Sequence, residues 1–266
     1  MKKRVFNLHV NILTALICLS ITVVFPAGCT TARKPLPSTP GLPNQTVTVT
    51  PAATAAPITP TVTSAPVPQA TLDAPPELDR MKATAISMVS SIQAKKWTTT
   101  ENLFSTLKRD WSSYKNKAAK ANITGIQIGS FSSDISNLQS QIEAKKVYEA
   151  SLAANRIMMS TISLSKLYRT TTPFETGELE FYIRNILLTS QNGDWVLAKS
   201  SSDSAVSVWR TIKNRAAAVN EENSAAYSDT LLTLGNYIDK KDTNSVKTYC
   251  ERLLTKTEAL REDLAK

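Results

Sequence analysis

Histidine is almost missing from this sequence. The one histidine in 266 residues, His9, lies in an apolar stretch near the N-terminus. Histidine general-base catalysis and histidine-ligated metals are therefore excluded from the rest of the chain. Cysteine is scarce as well. Cys18, Cys29 and Cys250 form no CxxC pair and no four-cysteine set, so neither a zinc ribbon nor a disulfide framework is available. The seven glycines include no GxGxxG and no GxxxxGK, which removes the dinucleotide and P-loop readings. Carboxylates occur as Glu178/Glu180, Glu221/Glu222 and Glu258/Glu262/Asp263. None is marked by its sequence pattern as the facing carboxylate pair of a glycosidase cleft, and di-iron bundle chemistry would need Glu-x-x-His. The chain reads as a non-enzyme with no cofactor and no metal.

What is present begins with Lys2, Lys3 and Arg4, followed by an apolar run from about Val10 to Phe25. A basic start and a run of this length describe a secretory signal. The run is shorter than the ~20 residues of a membrane-spanning helix. Its exit reads Phe25-Pro26-Ala27-Gly28-Cys29. This resembles the bacterial lipobox, in which a small residue precedes an invariant cysteine. Pro26 departs from the pattern, which usually has leucine or another aliphatic residue there. The resemblance implies a diacylglyceryl group on the Cys29 sulfur and cleavage between Gly28 and Cys29. Residues 1–28 are then a signal peptide, and the chain is anchored on the extracytoplasmic face of the cell membrane.

Residues 29–76 have a different character. From Thr30 to Pro76 there are eleven of the thirteen prolines and eleven threonines, with charge only at Arg33, Lys34 and Asp73. Proline removes amide donors and fixes φ, so a disordered linker with polyproline bias is expected. It resembles the wall-spanning stalks of Gram-positive surface lipoproteins.

From Glu77 onward only Pro173 remains, and Ala, Lys, Glu, Gln and Leu dominate, which favours helix. Met81, Ala85, Met88, Val89 and Ile92 fall at helical spacing, as do Leu103, Leu107, Trp111 and Tyr114. Thr98-x-x-Glu101 and Thr172-Pro173-Phe174-Glu175 read as capping boxes, the second with proline at the first helical position. Asn220 and Asp242 read as N-caps. Eight helices are predicted, at roughly 77–95, 99–121, 131–145, 147–169, 174–191, 200–219, 222–239 and 243–264.

The region is duplicated. Trp97 and Trp111 recur as Trp195 and Trp209, and the offset of 98 also matches Pro75 with Pro173, Glu77 with Glu175, and Gln93 with Gln191. Lys115-Asn116-Lys117-Ala118-Ala119 matches Lys213-Asn214-Arg215-Ala216-Ala217, and Asn122 matches Asn220. Beyond this the offset is 96, pairing Ser132 with Ser228, Leu138 with Leu234, Ile142 with Ile238, Lys145 with Lys241, and Arg156 with Arg252. A fainter half-period sets Ile92-Gln93-Ala94-Lys95-Lys96 against Ile142-Glu143-Ala144-Lys145-Lys146. The expected fold is all-α, with two duplicated four-helix units over 77–171 and 172–266, as paired bundles or as one stack of hairpins. The Trp-x₁₃-Trp spacing followed by a basic stretch resembles uncharacterised helical domains of secreted Gram-positive proteins, a resemblance that implies no activity.

Two sets of residues stand out. Trp97, Trp111, Trp195 and Trp209 are expected to be structural aromatics, although a tryptophan ahead of a helix can also stack a sugar or base. Lys95, Lys96, Lys115, Lys117, Lys145, Lys213, Arg215 and Lys241 are candidates for a basic face. The net charge is +9, and loss of Lys2, Lys3 and Arg4 leaves 28 basic against 22 acidic residues. The expected role is a lipid-anchored scaffold that presents a helical surface to a protein partner in the envelope. The alternative is a basic module for an anionic wall polymer or lipid head groups. No nucleic acid is expected.

Overall fold

The apolar residues of the C-terminal region recur every three or four positions, and each such stripe is the inner face of a helix. A computed structural model of the protein describes residues 72–120, 125–169 and 173–265. Gly28, Cys29 and the linker as far as residue 71 lie outside the described residues, as do Asn122 and Thr172. Among the described residues there are eight helices and no named strand: α1 Pro76–Gln93, α2 Trp97–Lys120, α3 Gly125–Glu143, α4 Val147–Ser165, α5 Phe174–Gln191, α6 Trp195–Val219, α7 Glu221–Asp239 and α8 Thr243–Leu264. The starts of α5 and α6 lie 98 residues after those of α1 and α2, and the starts of α7 and α8 lie 96 after those of α3 and α4. The duplication is thus a duplication of structure.

Each unit closes as a ring of four helices. α1 packs on α2 and α4, and α3 completes the first ring; α5 packs on α6 and α8, and α7 completes the second. The first core includes Met81, Met88, Leu107, Trp111, Leu138 and Ile157. The second includes Leu179, Ile183, Trp209, Leu234, Cys250 and Leu253. The two tryptophans mid-helix have the same task. Trp111 stacks on Phe131 at 4.3 Å, and Trp209 packs on Tyr227, the residue equivalent to Phe131, at 4.4 Å. The units meet where α4 packs on α5, so the arrangement is two bundles joined side by side.

Several helix ends differ from the sequence expectation. α2 starts at Trp97, so Thr98 is inside the helix and caps nothing. Pro173 is the N-cap of α5, not its first residue, and makes no side-chain cap. α3 starts at Gly125, six residues early, because Ile128 packs on the core and offsets the helix cost of Gly125 and Gly129. α4 stops at Ser165, and Arg169 instead binds the Leu72 carbonyl at 2.9 Å. α6 starts at Trp195, where Asp194 caps the Leu197 amide. Asn220 and Asp242 cap the amides of Asn223 and Ser245.

All four hairpins use one turn. Lys95, Lys145, Gly193 and Lys241 occupy the same place with φ of 55°, 52°, 77° and 55°. In each turn the next amide reaches back five residues to a helix carbonyl: Lys96 to Ser91, Lys146 to Gln141, Asp194 to Thr189 and Asp242 to Tyr237. This is the Schellman termination, which wants glycine at the left-handed position. Three of the four turns set a lysine there, where its charge favours the helix C-terminus but its Cβ is strained. Lys95→Gly, Lys145→Gly and Lys241→Gly are each expected to stabilise by about 0.5 kcal/mol, while Gly193→Ala costs about 1 kcal/mol. Urea midpoints with unchanged slopes check this.

Candidate functional site

The residues singled out in the sequence fall in three settings. Trp111 and Trp209 are buried in the cores. Trp97 and Trp195 open α2 and α6 and are half-buried against the core edges. The basic residues do not form one face. Lys95, Lys96, Lys145 and Lys241 sit in or beside the hairpin turns, while Lys115, Lys117, Lys213 and Arg215 lie in the second halves of α2 and α6. At 1.5 Å per residue, the two groups are about 30 Å apart along the bundle.

Two of these cations are structural partners. Lys117 Nζ donates to Glu77 Oε1 at 2.7 Å, and the equivalent Arg215 pairs with the equivalent Glu175 at 3.6 Å. Lys115 lies over the Trp111 ring at 5.8 Å. Glu77 is buried and also accepts from Ser113 Oγ at 2.9 Å, while its Oε2 meets no donor among the described residues. The Lys117 ammonium outweighs burial and pulls the Glu77 carboxyl from 4.5 down to about 2. The folded chain therefore holds this proton less tightly than the unfolded chain. The stability it contributes is complete above about pH 5 and is lost as pH falls toward 2. Urea midpoints across that window should fall for the native chain and be flatter for Glu77→Gln; equal slopes would contradict the assignment.

The site that sequence reasoning missed lies between the two bundles. Lys82 and Glu180 are equivalent residues at the offset of 98, and they form an ion pair at 3.1 Å. Gln93 and Gln191, also equivalent, are hydrogen-bonded at 3.2 Å. These contacts are eleven residues apart on both helices, so α1 and α5 run parallel and in register. The same face of each is turned to the other. A sideways shift cannot bring that about, but a half-turn about an axis parallel to the helices does.

That half-turn pairs the α4/α5 seam with an α1/α8 seam, and the two differ in chemistry. On the closed seam Gly177 abuts Ile162, where a Cβ would come within 3.0 Å of the Ile162 side chain. Asn155 donates to the Phe181 carbonyl across the same seam at 3.1 Å. The counterparts of Gly177, Ile162 and Asn155 are Asp79, Glu258 and Glu251. Three acids cannot be buried together, so α1 and α8 do not close on each other.

A cavity of about 400 Å³ remains between α1, α4, α5 and α8, and both Lys82 and Arg261 line it. Beneath them Glu180 is buried. Its Oε2 accepts from Arg261 at 2.7 Å and from Lys82 at 3.1 Å, and its Oε1 accepts from Arg184 at 3.0 Å. Burial pushes the Glu180 carboxyl up, but Lys82, Arg184 and Arg261 together hold it below its ordinary value.

Comparison with known proteins finds no family model, no curated protein and no solved structure that matches the chain.

A second concavity, of about 330 Å³, is walled by α4 and α6 and floored by α5. Leu152 and Met159 face Leu197 across Phe181 and Tyr182, with Ser200, Ser201 and Ser204 along the α6 edge. Val196, next to Leu197, is 84% exposed. Among the described residues no three histidine, cysteine or carboxylate side chains converge as a metal site, and no helix is long and apolar enough to cross a membrane. Cys250 is buried, and burial pushes its thiol far above the ordinary range.

Proposed function

We propose that this chain is a lipoprotein anchored through Cys29 on the extracytoplasmic face of the cell membrane, and that its paired bundles dock a protein partner of the envelope without catalysis. The observation that carries the docking surface is the groove over α5. Leu152, Arg156 and Met159 follow helical spacing along one wall, and Leu197, Ser201 and Ser204 follow it along the other. Apolar side chains interrupted by Arg156 and edged by serine hydroxyls suit the amphipathic face of a partner helix. The segment before α1 would raise the local concentration of the domain at the membrane.

Two measurements test the two halves of this reading. Intact mass of the membrane fraction should match residues 29–266 plus a diacylglyceryl group, and Cys29→Ser should abolish that species. A photo-crosslinking residue at Met159 or Leu197 should trap one discrete protein in cells, and Leu152→Asp should eliminate the product. The same probe at Lys108, on the outer side of α2, should trap nothing. Crosslinks confined to the lysine positions and lost in high salt would instead indicate an anionic polymer.

A further inference from the structure

We infer that the cavity between the bundles binds a small organic carboxylate with an apolar body. This goes beyond the docking surface and uses other residues, on the α1/α8 side of the α4/α5 seam.

The cavity offers an anion seat on an apolar wall. Lys82 and Arg261 share one oxygen of Glu180, so their cationic heads are held side by side, and both line the cavity. Each side chain is about one-fifth exposed, at 22% and 21%. Lys82 carries three donor hydrogens and meets one carboxylate oxygen among the described residues. Arg184 takes the other oxygen of Glu180. The lining also includes the apolar side chains of Ile162, Pro173, Phe174 and Ala74. A cavity of about 400 Å³ is of small-molecule size.

The charges around the cavity narrow the ligand class. Lys82, Arg184 and Arg261 face Glu180, and Glu258 pairs with Arg261. With Asp73, Asp79 and Arg169 on the lining the set is neutral, so the anion seat rests on the donors of Lys82 and Arg261 beside the cavity and not on a surplus charge. The Asp73 and Asp79 carboxylates that line the cavity would repel a dianion such as phosphate more strongly than a monoanion. Asp73 is neutralised by Arg169 at 3.2 Å, whereas Asp79 is exposed. The duplication does not explain this constellation, because the counterparts of Lys82, Arg261 and Asp79 are Glu180, Ser165 and Gly177. The cations are concentrated at one place and made once per chain.

The test is isothermal titration of the full-length protein with hexanoate and phenylacetate, with hexanamide as the neutral isostere and inorganic phosphate as the dianion control. Both carboxylates should bind saturably at one site, and hexanamide roughly tenfold or more weaker, because a charge-assisted contact is lost. Lys82→Gln should weaken hexanoate by about the same factor. Asp79→Asn removes an exposed acid from the cavity lining and should tighten hexanoate about two- to threefold. Because Asp79 is exposed, that variant reports even if Lys82→Gln fails to fold. Binding of hexanamide equal to that of hexanoate would reduce the cavity to an apolar void and overturn the inference. Preference for phosphate, no binding of either carboxylate, or no change in Asp79→Asn would overturn it too.

Discussion

Trp111→Ala is expected to cost about 3–5 kcal/mol, and it should be the most damaging single truncation in the first bundle. The indole is 5% exposed and stacks on Phe131 at 4.3 Å and beside Tyr114 at 5.6 Å. Removing it leaves a void that its two aromatic neighbours cannot fill, since Tyr114 is itself tied to Tyr168 by a hydroxyl contact at 3.3 Å. Trp209→Ala should cost a similar amount in the second bundle, where the indole Nε1 also donates to Ser228 Oγ at 3.0 Å. The measurement is urea unfolding followed by circular dichroism. Two cores joined by one helix seam should then separate, with a biphasic curve in each variant and opposite halves surviving. A loss below about 1 kcal/mol would mean that the indole is not part of the packing.

Glu180→Ala is the second large effect. It removes the carboxylate on which Lys82, Arg184 and Arg261 converge, leaving three cations without their common partner. Breaking a fully buried pair costs about 3–5 kcal/mol, and these cations are partly wetted, so about 2–3 kcal/mol is expected. A second substitution, Lys82→Met, should recover part of the loss by removing one of the stranded charges. If Lys82→Met in the Glu180→Ala background adds its full independent cost, the three cations are not coupled through that carboxylate. Acid should act in the same direction as Glu180→Ala. The folded carboxyl is held low, so its contribution is present above the unfolded value and disappears as pH falls through the folded one.

The sequence carried the helices and the duplication because both are local. Met81 to Ile92 marks one helix by spacing alone, and Trp97 and Trp111 announce the second copy by recurring at Trp195 and Trp209. Helix starts were less legible. Asp194 is a capping residue whose signal was hidden by the tryptophan that follows, and Gly125 and Gly129 read as breakers until Ile128 finds a core to pack on. The lysine turns contained a usable clue. Gly193 stands in the third turn where the others have Lys95, Lys145 and Lys241, and a glycine among equivalents marks a position that wants positive φ. The cavity could not be read at all, because Glu180 and Arg261 meet through the packing of α5 on α8 and Lys82 reaches them only through the way the two bundles face each other. Lys82 and Glu180 look like unrelated surface charges until the side chains of α1 and α5 are seen to meet across the bundles.

That opposition of α1 and α5 also shows what a duplicated chain can do that a pair of identical units cannot. If a single unit had once associated with its own copy across this face, each position would have met itself. Lysine would have stood against lysine, or glutamate against glutamate. An amide tolerates such self-meeting because it both donates and accepts, and Gln93 and Gln191 are still identical. Opposite charges at one position require two copies that are free to differ. The pair of Lys82 with Glu180 is therefore a contact that a homodimer of one unit could not make and that the two halves of this chain can.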